Sequence, residues 1–149
     1  MARGRFVLDL QPFLDRARAN PRLVVKKVVI DAGSSVVLKT PVGDPDTWAR
    51  PAPPGYAGGR ARGSWQYAQG EPLEVEPGGL SHSGQSSIGR IVAGVSTGDP
   101  ACEHFITSNV PYMRELEYEG HSKQAPDGMV RKTIAEFQTY VDDAIRDLP

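Results

Sequence analysis

Cysteine is almost absent from this sequence: Cys102 is the single thiol, so no disulfide forms within the chain and no thiolate cluster can hold a metal. A reducing cytoplasm suits such a chain. Long apolar runs are missing as well. Charge returns at Asp9 within MARGRFVLDLQPFLDRARANP, and no stretch of about 18 apolar residues occurs, so neither a signal peptide nor a membrane span is expected. There is no surplus of basic charge: Lys and Arg number 17 against 18 Asp and Glu, which argues against a dedicated nucleic-acid binder.

The usual chemical signatures are missing too. His82, His104 and His121 lie too far apart for HExxH or for a His/Cys zinc spacing. Ser81, Ser83, Ser86 and Ser87 sit among glycines without a GxSxG motif, and GGRARG lacks the Lys-Ser/Thr of a phosphate loop. Glu115, Glu117, Glu119 and His121 fall close together, but alternate carboxylates on a turn are ordinarily solvated rather than catalytic. No catalytic, cofactor-binding or metal-binding residue is expected, and the chain reads as a non-enzyme.

What is present suffices for one domain, residues 1–149, with its own core. Phe6 to Leu10 alternate weakly, as an edge strand or an ordered arm, and Pro12 to Ala19 are helical in pattern. Asn20 followed by Pro21 reads as an N-cap with proline at the first helical position. The helix it opens should run to about Lys39, with apolar residues over more than one face and burial on two sides. Its valines leave strand as the alternative. Helix is preferred because the run is long and Lys26, Lys27, Asp31, Ser34 and Ser35 share a stripe.

Residues 41–63 form a long loop, with Pro41, Pro45, Pro51, Pro53 and Pro54 and five glycines. Loops beyond about 12 to 15 residues are usually functional or disordered, and Trp48 and Tyr56 favour an ordered or binding role. A strand over Ser64 to Ala68 follows, with Trp65 and Tyr67 on one face. A second Gly/Pro/Ser-rich stretch leads to a short helix from about Ser86 to Val95. A strand then spans Glu103 to Ser108, and Asn109 marks a turn. After Gly128 an apolar stripe at Met129, Val130, Ile134, Phe137, Val141, Ala144, Ile145 and Leu148 predicts one final helix. The fold class is therefore α+β, with long N-terminal and C-terminal helices packed on a small, mostly antiparallel sheet.

Two segments carry a resemblance. They are TPVGDPDTWARPAPPGYAGGRARGSWQ, residues 40–66, and FITSNVPYMRELEYEGHSKQAPDGMVRKTIAEFQ, residues 105–138. Together they resemble the tail-completion and neck proteins of tailed bacteriophages, the family that includes the lambda-type minor tail protein at the head-tail junction. In that family a helix ends in a TPV-like turn, arginines and a tryptophan open a strand, and Asn-x-x-Pro-Tyr leads to a Leu-Glu-Tyr-Gly-x-Ser-x-Gln-Ala-Pro loop. Here the matching positions are Arg60, Arg62, Trp65, Asn109, Pro111, Tyr112, Leu116, Glu117, Tyr118, Gly120, Ser122, Gln124, Ala125 and Pro126. The chain departs by its long Pro-rich loop, where many relatives have a short Asp-Thr-Gly turn, and by the insertion of Glu119.

The resemblance implies a structural virion protein that is assembled in the host cytoplasm. It would build a cyclic ring, a hexamer by family analogy, and join tail to head without cofactor or reaction. Its partners would be copies of itself, head connector or stopper proteins, and tail-tube or terminator proteins, with DNA near the channel and no membrane. Trp48, Tyr56, Arg60, Arg62, Trp65, Tyr112, Glu117, Tyr118 and Gln124 are the expected interaction residues. The local alternatives are that Trp65 is core, that Tyr112 and Tyr118 are half-buried, and that Arg60 or Arg62 pairs with Glu117. Competing readings are a tail terminator capping the tube and, from another class, a small nucleic-acid-binding module using Arg60, Arg62, Lys26 and Lys27. Charge is polarised: residues 1–69 carry 11 basic and 5 acidic side chains, whereas residues 70–149 carry 6 and 13. That split points to head-to-tail association.

Overall fold

The computed structural model describes residues 21–147, so the expected N-terminal arm, the helix over 12–19 and the Asn20 cap lie outside the described residues. The first helix, α1, spans Pro21–Lys39. Its buried residues recur in pairs, at Val24 and Val25, Val28 and Val29, Ala32 and Gly33, Val36 and Val37, which is a helical repeat and rules out the strand alternative. Each valine costs a helix up to about 0.7 kcal/mol relative to alanine, while burying it returns roughly 1.5 kcal/mol or more, so packing decides the conformation.

A single 3-10 turn, Pro45–Thr47, interrupts the Pro-rich loop, and a short helix α2 spans Arg60–Gly63. The first strand, β1 (Gln66–Gln69), starts later than the sequence pattern predicts, because Ser64 still caps α2 by donating to Ala61 O. Trp65 therefore precedes the strand rather than sharing a face of it with Tyr67. Helix α3 follows at Gln85–Thr97, and strand β2 at His104–Thr107. The two strands pair antiparallel, Gln66 opposite Thr107 and Gln69 opposite His104. Tyr67 lies on Gly94 of α3, a contact that leaves no room for a Cβ there.

Two further features depart from the sequence pattern, beyond the late start of β1 and the helix α2 at the end of the expected loop 41–63. Residues Met113–Tyr118 form helix α4 where a turn was expected. The single final helix is instead two, α5 at Val130–Ala135 and α6 at Phe137–Asp147. At the break the Glu136 amide is shared between Lys132 O and Thr133 O, and its carboxylate is drawn to Lys39 Nζ and Tyr140 OH, both at 2.7 Å. Ile134, expected in the apolar stripe, is exposed. The core is a layer of α1 against α3 on one side and α6 on the other, closed by Trp65, Phe105, Leu116 and Met129. The α+β class holds, with a two-stranded antiparallel sheet.

Candidate interaction surface

The expected interaction residues fall into two sets, one that is built into the fold and one that faces solvent. Trp65 belongs to the first: it is buried, and its Nε1 donates to Thr40 Oγ1 at 2.7 Å, while Thr40 Oγ1 donates to Val36 O. Arg62 also serves the fold. Its guanidinium donates to Leu38 O, Thr40 O and His82 O at 3.2, 2.9 and 2.6 Å, so it ties the carbonyls at the C-terminal end of α1 to the loop that leads into the helix Gln85–Thr97.

Glu117 is buried at 5% exposure, and neither Arg60 nor Arg62 is its partner. Its carboxylate accepts the backbone N–H groups of Met129, Val130 and Arg131 at 2.8, 2.9 and 3.0 Å, closing the start of α5. The Arg131 side chain adds a 3.3 Å ion pair and a further bond to Glu117 O. Amide donors at the head of a helix satisfy a buried carboxylate more fully than one guanidinium would, which is why the expected pairing fails. Gly128, at φ +82°, makes the approach possible, since a side chain there would meet the carboxylate.

Arg60 instead makes a two-point pair with Glu76, 2.8 and 2.9 Å, and lies over the Tyr112 ring at 5.7 Å. The hydrogen bonds from Arg60 hold the Glu76 carboxyl below the usual carboxylate range, and burial pushes the half-buried Tyr112 hydroxyl up. Gln124 clasps the Pro-rich loop at its root: Val42 N donates to Gln124 Oε1 at 3.1 Å and Gln124 Nε2 donates to Val42 O at 2.8 Å. Tyr118 is exposed, under Arg131 at 5.2 Å.

No family model, curated protein or solved structure matches this chain.

What faces solvent is an aromatic edge. Trp48 and Tyr56 are 41% and 40% exposed and pack on each other with ring centroids 4.8 Å apart. Beside them an open groove of about 610 Å³ runs between Val42, Tyr56, Arg62, His82 and Gln124. Leu80 and Val75 are exposed as well, at 55% and 77%. Among the described residues, no three His, Cys, Asp or Glu side chains come together as a metal site, and no helix is long and apolar enough to cross a membrane.

Sequence reasoning missed several residues that hold this region. Thr40 links α1 to Trp65. Arg90 donates to Gly63 O and Trp65 O at 2.5 and 2.9 Å, and Ser108 bonds Ser64. Their partners are backbone carbonyls, a small hydroxyl or, for Thr40, an indole N–H, and such bonds leave no charge or spacing signal. Another cluster joins helices: Ser35 of α1 bonds Thr133, Lys39 and Tyr140.

Proposed function

We propose that this chain is a non-enzymatic structural protein of a tailed bacteriophage, forming a ring at the head-tail junction that joins tail to head. The observation that carries this reading is the meeting of the two segments that resemble tail-completion proteins. Residues 40–66 and 105–138 bond to each other through Gln124 with Val42 and Ser64 with Ser108, and meet at the first pair of the β1–β2 ladder, Gln66 opposite Thr107. The resembling residues thus form one structural unit rather than two unrelated stretches. Arg62, Trp65, Glu117 and Gln124 maintain that unit, while Trp48, Tyr56 and Tyr118 remain available to neighbours, since exposed aromatic anchors are what an interface uses.

The nucleic-acid-binding alternative has less support. Arg60 is paired with Glu76, Arg62 is spent on carbonyls, Lys27 is paired with Asp31 at 2.7 Å, and Lys26 donates to Ser96 O. A hydrolytic role for Glu117 with His121 is likewise poorly supported, because the Glu117 carboxylate already receives three backbone donors.

The ring is tested by measuring mass in native solution across concentration. A closed assembly of several 16.1 kDa subunits is expected, whereas a monomer at every concentration would argue against self-assembly through the chain's own surfaces.

A further inference from the structure

The Pro-rich stretch leaves the fold and returns to it at one point. Gly43 and Gly58 lie against each other: a Cβ on Gly58 would sit 3.2 Å from both the nitrogen and the carbonyl carbon of Gly43. Between them, residues 44–57 make a closed excursion.

Three observations show that this excursion is separate from the core. None of residues 44–57 is buried, although Gly58 and Gly59 immediately after them are. Among the described residues, every hydrogen bond made by residues 44–57 stays inside that span. Asp46 N and Thr47 N donate to Asp44, Trp48 N to Pro45 O, and Tyr56 N to Pro53 O. The ring contact that this span makes among the described residues, Trp48 with Tyr56, is internal too. The anchorage is at the root, where Gln124 clasps Val42 on both its N–H and its C=O, and the Tyr56 hydroxyl rests on Gly43.

Stiffness is built in. Pro45, Pro51, Pro53 and Pro54 fix φ along the span, while the two glycines at its base carry no Cβ to resist rotation. A local unit with its own bonds and few contacts to the core opens at a much lower free energy than the whole fold. We infer that residues 44–57 form a hinged arm, stiff within itself, held closed at its root by the Gln124 clasp on Val42. It turns as one body about Gly43 and Gly58. Opened and doubled back on itself, it reaches roughly 20 Å from its base.

The test is nuclear magnetic resonance on the full chain, comparing it with Gln124→Ala and with a variant in which Gly43 is joined directly to Gly58. In Gln124→Ala the Val42 amide should exchange about tenfold faster, the loss expected when a hydrogen-bonded clasp is removed. Cross-peaks between the Trp48 and Tyr56 rings should persist, and amides of α1 and β1 should keep their exchange rates. The joined variant should retain the thermal midpoint and the α1 exchange pattern. Unchanged Val42 exchange in Gln124→Ala would overturn the clasp, and loss of the Trp48–Tyr56 cross-peaks would overturn the single stiff body. Faster exchange throughout α1, or unfolding of either variant, would show that the arm belongs to the cooperative core.

Discussion

Trp65 and Thr40 form a buried donor-acceptor pair, the indole N–H 2.7 Å from the threonine hydroxyl, with Thr40 fully buried at 0% exposure. Because the same hydroxyl donates to Val36 O, the pair fixes the end of α1 against the residues that lead into β1. Thr40→Val keeps the shape and removes both bonds, leaving the indole N–H unsatisfied. A buried polar group without a partner costs about 1–3 kcal/mol, so denaturant titration should show a loss of that size. Thr40→Ser, which retains the hydroxyl, should lose markedly less.

Glu117 should matter more than its salt bridge. Glu117→Gln leaves one neutral oxygen facing three amide donors at the head of α5, and a loss of about 2–4 kcal/mol is expected from charge-assisted bonds and the helix dipole together. Arg131→Ala removes a partner that is 46% exposed, and exposed ion pairs contribute at most about 1 kcal/mol. Thermal denaturation of the two variants separates the effects. Equal losses would show that the ion pair, not the helix cap, holds this turn.

Much of the framework was legible in the sequence. Proline at position 21 and the paired burial rhythm delimit α1, and β2, His104–Thr107, lies inside the strand expected over Glu103 to Ser108. Helices α2 and α4 were not legible, because segments of 4 and 6 residues are set by what they pack against rather than by a repeat of their own. The Glu117 pairing failed for a related reason: opposite charge names candidate cations but says nothing of backbone amides. Gln124 was singled out by resemblance, yet its partner is the Val42 main chain, which any residue type at 42 other than proline would supply. The exposed Trp48 and Tyr56 were the part of the candidate surface that composition alone had placed in a loop.

The α1–α6 junction should be acid-sensitive. Hydrogen bonds from Lys39 and Tyr140 lower the Glu136 carboxyl below its ordinary value. A carboxylate whose folded pKa is depressed contributes in full above the unfolded value of about 4.3, and loses that contribution as pH falls through the lower folded value. Wild type should therefore melt above Glu136→Gln at pH 7, with the difference closing below about pH 4. A difference that persists or grows in acid would assign the effect to packing instead of charge.

If the polarised charge orders neighbours in a ring, association should weaken with salt. Glu119 is the better acidic site to reverse. It is exposed, whereas Glu115 is half-buried with one carboxylate oxygen out of solvent. Each partly solvated pair is worth about 0–1 kcal/mol, so Glu119→Lys should shift the association midpoint by no more than about fivefold. Sedimentation at low and high salt measures both effects. Indifference to salt and to the reversal would make the polarity a feature of the surface alone.

Localisation within the particle bears most directly on the central claim. Electron microscopy of tailed particles labelled with an antibody against this chain should place label in a single band between head and tail, with none on the capsid faces or the distal tail tip. Label elsewhere on the particle, or particles that carry none of this chain, would contradict a role at the head-tail junction.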